Sequence, residues 1–441
     1  MVFSFRLDKW MLRIMLIMIC ICITSMFFFP FEFRAWPGMN TKRMLAAAAL
    51  VVLLLKKAIN RKPILTKDFI YVSLLACLVS FFGLLSVTYN NTPDYTYATF
   101  ITSAWVWWGA AYTACQCIKL VHGKITWVLV INYLTAVCVL QCFLALWMDL
   151  SPAVKQAINS VVLQKDVVYG GNIKRLYGIG ATLDVAGTRF SAILVMIIYL
   201  LANSNIEKRW YEYFIYLLAF IFISVAGNMI ARTTLVGIVV GMLYLAYVTF
   251  IQAKKVERNY SLMWGWLGGL LLISVPVLTY EYNNNPTIRK HLRFGFEGFF
   301  NLAEQGEFTY SSNVKLQTMY VWPDNMKTWV VGDGYFENPK NTNPYYTGDI
   351  YGGFYKGTDV GYLRFVFYFG VIGLFVFSWY FIKVAQVCMR KFPQWKLLFL
   401  MLLLINFIVW FKVSTDIFLV FTMFLCLDEE TEEGTMALET A

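Results

Sequence analysis

Asp184-Val185-Ala186-Gly187-Thr188-Arg189-Phe190-Ser191 runs directly into Ala192-Ile193-Leu194-Val195-Met196-Ile197-Ile198-Tyr199-Leu200-Leu201-Ala202. The second half contains no charge, and the whole is the length of one bilayer crossing, for which about 20 apolar residues suffice. Arg189 is the exception inside it. A cation at a bilayer centre costs roughly 2.5 to 3.5 kcal/mol on insertion scales. Arg232, Arg364 and Lys412 interrupt other apolar stretches in the same way. Such groups persist where they meet an aqueous cavity, a counter-ion or an anionic ligand. All four fall toward the same, outer half of the spans drawn below.

The composition agrees with a membrane domain. Of 441 residues, 59% are hydrophobic, 18% aromatic and only 14% charged, against about 25% charged in soluble domains. Apolar runs recur from residue 11 to residue 427. We therefore expect an all-α polytopic membrane domain over 1–427 and an acidic tail over 428–441. The net charge is +11, and the tail holds six acids and no base. Basic residues collecting in cytoplasmic loops explain the excess, and no basic module points to nucleic acid. The nine cysteines avoid the expected outer loops, so no disulfide framework is implied. The N-terminal run ends at Phe27-Phe28-Phe29-Pro30 without a small-residue cleavage site, which reads as a retained first span.

Twelve spans are expected, near 11–29, 44–57, 68–88, 98–118, 125–147, 184–202, 210–226, 228–251, 263–280, 359–384, 395–412 and 414–427. The last two alternatively form one long broken helix. With the N-terminus inside, the inner segments hold nineteen lysines and arginines, whereas the short outer loops near 89–97 and 226–228 hold none. That places both termini in the cytoplasm. Two outer segments are long, 148–183 and 281–358, and long ordered loops are usually functional. Within the second, 286–304 carries apolar residues at helical spacing between Arg289, Lys290 and Arg293, the pattern of an interfacial amphipathic helix. A second helix is expected over 312–329, then an ordered loop over 332–358.

Chemistry is sought at the outer face. Arg175, Arg189, Arg232 and Arg364 present guanidinium forks suited to phosphate oxygens; internal pairing with Asp184, Asp359 or Asp416 is the competing reading. Asp359 is placed to cap a helix or to act as a base at the mouth of a cavity. A helix N-terminus would favour its ionised form. Asp333, in Gly332-Asp333-Gly334, is a turn residue or a substrate contact. Lys315, Tyr335 and Tyr362 complete the candidate substrate contacts. The loop is rich in aromatic rings, which stack on sugars or build a loop core. There is no phosphate-binding glycine loop with Lys-Ser/Thr and no spaced Cys or His ligand set, so neither a metal nor a cofactor is expected. His122 and His291 are read as bystanders.

Four segments together resemble the O-antigen polymerase and ligase superfamily. They are Arg175-Leu176-Tyr177-Gly178; Ala231-Arg232-Thr233-Thr234; Trp329-Val330-Val331-Gly332-Asp333-Gly334-Tyr335; and Asp359-Val360-Gly361-Tyr362-Leu363 with Phe369-Gly370-Val371-Ile372-Gly373-Leu374. The serines that usually precede the arginine of the second are missing. Asp359 stands where the ligases typically have histidine. The resemblance covers roughly 170–375. It implies a glycosyltransferase-C-like fold with the large periplasmic loop between spans nine and ten, in a bacterial inner membrane. It also implies an inverting, metal-independent polymerase taking glycan from an undecaprenyl-pyrophosphate-linked oligosaccharide. Arg232 with Arg189 and Arg175 would steady the leaving pyrophosphate, and Asp359 would orient or deprotonate the acceptor hydroxyl. Arg364 would pair with Asp359 or touch phosphate. Implied partners are membrane lipid, a chain-length regulator and a flippase. The alternatives are the ligase that transfers to lipid A core, a flippase of lipid-linked oligosaccharide, and a non-catalytic scaffold.

Overall fold

A computed structural model describes residues 9–60, 66–163, 175–202, 209–252 and 258–427. The acidic tail lies outside them. The chain is almost wholly helical: α1 (Lys9–Phe28), α2 (Thr41–Asn60), α3 (Lys67–Asn90), α4 (Phe100–His122), α5 (Trp127–Leu150) and α6 (Pro152–Val161) come first. Then follow α7 (Leu183–Ala202), α8 (Trp210–Ile230), α9 (Thr234–Ala246, prolonged by a wider turn at Tyr247–Gln252) and α10 (Arg258–Asn284). The long loop contributes α11 (Pro286–Gly295), α12 (Glu297–Gln305), α13 (Ser311–Gln317) and α14 (Met326–Val330). The chain closes with α15 (Gly361–Lys391), α16 (Lys396–Val409) and α17 (Phe418–Leu425).

Eight of the described helices are long and apolar enough to cross a membrane, so the protein is an all-α polytopic membrane protein. The other four expected spans are helical too, at α2, α4, α16 and α17. Lys42, Arg43, Lys56 and Lys57 dilute the apolar character of α2, and α16 and α17 are short. The last two are not one broken helix. The Asn406 side-chain oxygen accepts from the Ile417 amide at 3.2 Å, and the Phe399 and Phe424 rings meet at 5.2 Å. The chain therefore doubles back between them.

The loop departs from expectation in two places. The amphipathic stretch is two helices, parted at Phe296, and the helix expected over 312–329 is two short pieces, α13 and α14. Pro323 lies between those pieces, and proline resists continuation of a helix. One two-residue ribbon also exists: Glu32–Phe33 pairs antiparallel with Val162–Leu163.

The stretch around Arg189 becomes the central helix. Every residue of α7 from Ala186 to Ala202 is buried, which explains a sequence apolar on all faces. Its close neighbour is α9. A Cβ on Gly237 would sit 2.2 Å from the Ser191 Cα, so only glycine permits the crossing, as in small-residue membrane interfaces. Between α8 and α9 the helix breaks at extended Ala231. The Ser191 hydroxyl donates to the Thr233 carbonyl at 2.8 Å and accepts from the Gly237 amide at 3.0 Å. A break at membrane depth is tolerated when its freed polar groups are satisfied in this way.

Helix α15 breaks as well, at Phe369 and at Gly370, whose φ is 70°. The turn after α14 fills the break. The Asp333 amide donates to the Phe367 carbonyl at 2.6 Å and the Gly334 amide to the Tyr368 carbonyl at 3.1 Å. Ser86 also donates to Tyr368, and Asn90 donates to the Gly332 carbonyl at 3.1 Å. Helices α3 and α15 thereby anchor the far side of the loop over one end of the bundle.

Candidate functional site

That end gathers the starts of α7, α9 and α15, the turn between α16 and α17, and the segment beginning at Arg175. Leu183 enters α7 with φ 49°, a backbone shape that leucine rarely adopts. It sets Asp184 in the first turn of α7. The Lys412 ammonium lies 3.6 Å from the Asp184 carboxylate, and the Thr188 and Thr415 hydroxyls bond at 3.0 Å. The turn between α16 and α17 is thus pinned to α7.

Asp359 lies in the connector just ahead of α15. It is not the cap: the helix opens at Gly361 with Val360 in the capping place. Among the described residues no hydrogen bond or ion pair holds its carboxylate. Burial raises its pKa to about 6, against the pull of the Arg364, Lys412 and Arg175 charges and with the push of Asp184. This reverses the sequence expectation of a carboxylate favoured in its ionised form. Loss of water outweighs a helix terminus that the side chain does not cap.

Arg364 does not pair with Asp359. It is 5% exposed and donates to Ser414 at 2.6 Å, to the Phe336 carbonyl at 3.1 Å and to Glu337 at 3.2 Å. Its guanidinium also lies 3.5 Å from the Phe354 ring centre and 3.8 Å from that of Phe336. Burial raises the pKa of Glu337, and Arg364 opposes that shift. Arg364 therefore ties loop residues to the turn between α16 and α17.

Arg232 plays a similar part on the other side. It meets Glu297 at 2.7 Å, donates to the Phe294 carbonyl at 2.9 Å and to Ser312 at 3.0 Å. Internal pairing thus occurs, with a loop carboxylate that the sequence reading did not weigh. Arg175 shares the Phe294 ring with Arg232, their guanidinium carbons standing 4.9 and 4.2 Å from its centre. No carboxylate among the described residues forms an ion pair with Arg175. Phe294 thus holds a second arginine beside the one that Glu297 neutralises.

Arg189 sits deeper, 5% exposed. It donates to the Phe28 carbonyl at 2.5 Å, and its Nε has no hydrogen-bond partner among the described residues. Lys42 lies 4.2 Å over the Trp107 ring that Arg189 also approaches, at 5.6 Å. Lys315 is exposed on α13 without a side-chain partner among the described residues. Asp333 is held by Lys327 at 2.8 Å, Thr328 at 2.7 Å and Tyr355 at 3.2 Å, and Tyr335 packs on Tyr346 and Tyr355. Tyr362 donates to the Phe407 carbonyl at 3.0 Å. These three build the loop and its seat.

Around Asp359 at this end stand Arg175, for which no ion pair exists among the described residues, and the Lys412–Asp184 pair. Asp184 and Lys412 carried a signal in the sequence, since a cation in an apolar run requires a counter-ion. Glu297 and Glu337 carried none, being ordinary loop acids. Among the described residues no cluster of three or more His, Cys, Asp or Glu is suited to a metal. His291 is buried and its Nε2 meets Asp149 at 2.8 Å, which fastens α11 to the end of α5. The chain matches no family model, no curated protein and no solved structure.

Proposed function

We infer that the protein is a membrane glycosyltransferase acting on a polyprenyl-pyrophosphate-linked glycan, and within that class a repeat-unit polymerase. One observation carries the reading. A carboxylate with no hydrogen bond among the described residues, its pKa raised to about 6, stands among the charges of Arg364, Lys412 and Arg175 at the end of a long loop. A general base works best when its pKa approaches the working pH. Asp359 takes the proton from the acceptor sugar hydroxyl as that oxygen attacks the anomeric carbon. The bond from that carbon to the pyrophosphate oxygen breaks, and the departing charge falls to Arg175 and Lys412. Asp184 holds Lys412. Arg232 and Arg364 position the loop rather than touch the reacting atoms. The loop aromatics, Tyr345 among them, offer faces for sugar rings.

The deciding experiment is a surface-glycan gel from cells lacking the chain, complemented with the wild type or with Asp359→Asn. A ladder that collapses to single capped units, restored only by the wild type, supports the polymerase. Loss of all capping transfers the reading to the ligase. A ladder unchanged by the deletion overturns both.

A further inference from the structure

At the opposite end of the bundle, a cleft of about 390 Å³ opens between the start of α3 and the last turns of α15. It is lined by Lys67, Asp68, Tyr71, Lys383, Gln386 and Arg390, with Val387 at its floor. Its α15 residues, Lys383 to Arg390, lie roughly 33–44 Å along the helix from Gly361 at about 1.5 Å per residue, so the cleft is separate from the candidate site. Three cations face one carboxylate. Their uses differ. Arg390 pairs with Asp68. The neighbouring Lys391 is consumed within the fold, donating to the Leu425 and Leu427 carbonyls at 3.1 Å each. Helix-end neutralisation and packing of α17 account for those two.

They do not account for Lys67 and Lys383. Lys67 is exposed, and no side-chain partner for it exists among the described residues. Lys383 donates only to the neutral Gln386 at 2.9 Å and lies 4.3 Å over the Trp379 ring. The cleft thus keeps two cations that no carboxylate among the described residues neutralises. Its apolar flank is aromatic: Trp379 is 40% and Tyr71 41% exposed, each about one turn from a lysine on its own helix. Amphipathic rings beside lysines mark the headgroup level of a bilayer, and basic pockets between membrane helices suit anionic headgroups.

We propose that this cleft binds the phosphate headgroup of an anionic phospholipid, with Lys67 and Lys383 on the phosphate oxygens and Tyr71 and Trp379 against the glycerol and upper acyl chains. Arg390, already engaged with Asp68, walls the cleft. The site is independent of the glycosyltransferase reading, and its test does not use activity.

The full-length protein in mild detergent is titrated with phosphatidylglycerol, phosphatidylcholine or inorganic phosphate and followed by native mass spectrometry. The wild type retains phosphatidylglycerol at least fivefold better than phosphatidylcholine. The Lys67→Gln/Lys383→Gln double variant loses that preference. Lys67→Arg/Lys383→Arg keeps it, which separates charge from folding, and so does Lys340→Gln on the far loop. A preference unchanged in the glutamine variant overturns the proposal. So does equal retention of the two lipids by the wild type. Inorganic phosphate bound as well as the lipid overturns it too, since the site then takes a free anion.

Discussion

At the scale of single residues, Asp359 sets the sharpest expectations. Its pKa in the fold, about 6, lies above that of an unfolded aspartate, about 3.9. A group acting as an ionised base then gives transfer that rises with pH through about 6 and levels above it, measured in membranes with a lipid-linked donor. The stability consequence has the opposite sense. Between about pH 4 and 6 the folded chain binds more protons than the unfolded chain at this position. Its contribution to stability therefore falls as pH rises through that window. Asp359→Asn removes the slope. The variant should melt no lower than the wild type at pH 7.5 while losing at least 100-fold in transfer; a lower melting point would make Asp359 structural. Arg175→Ala tests the unpaired cation. It should cost tenfold or more in transfer while stability falls only by the lost contact with the Phe294 ring, about 0.5–1 kcal/mol, because among the described residues no ion pair is lost.

At the scale of elements, the loop is held by charges and by a broken helix. Arg232→Ala and Glu297→Ala should weaken docking of α12 and α13 alike, each by about 1–3 kcal/mol, the range for stranding one partner of a buried hydrogen-bonded charge. Limited proteolysis of membranes should then cut within 297–317 faster in both variants. Equal losses of transfer in the two mark Arg232 as a positioning residue. A loss confined to Arg232→Ala would return it to the reacting atoms. Gly370 is the other hold. It sits at φ 70°, and a Cβ there would meet the Val330 carbonyl oxygen at 2.1 Å. Gly370→Ala costs about 1–3 kcal/mol for a backbone shape, φ 70° and ψ −177°, that is essentially reserved to glycine, with the displaced α14 turn added. It should lower the melting point and free the loop to protease.

At the scale of the whole molecule, alternation of the spans requires the long loop and the Lys383–Lys396 region to face opposite sides. A cysteine at Tyr345, which is 89% exposed, should react with an impermeant maleimide added to intact cells. A cysteine at Gln386 should react only after the membrane is opened. Labelling of both from one side would overturn the span order. The sequence by itself determined the helices, because hydrocarbon leaves a chain few ways to satisfy its backbone and about 20 apolar residues in a row are visible without a fold. It also singled out Arg189, Arg232, Arg364 and Lys412, because each violates the hydropathy of its surroundings. Only the tertiary structure decided which of these charges are neutralised. Glu297 and Glu337 lie 65 residues after Arg232 and 27 before Arg364 in the chain, and nothing local marks them as partners. The glycine turn at 332–334 could be read as a plain turn or as a place for substrate. Its role emerged with the break in α15, since its amides cover carbonyls that a continuous helix would have satisfied. Pairing and burial depend on where distant segments meet, and a linear pattern does not contain that.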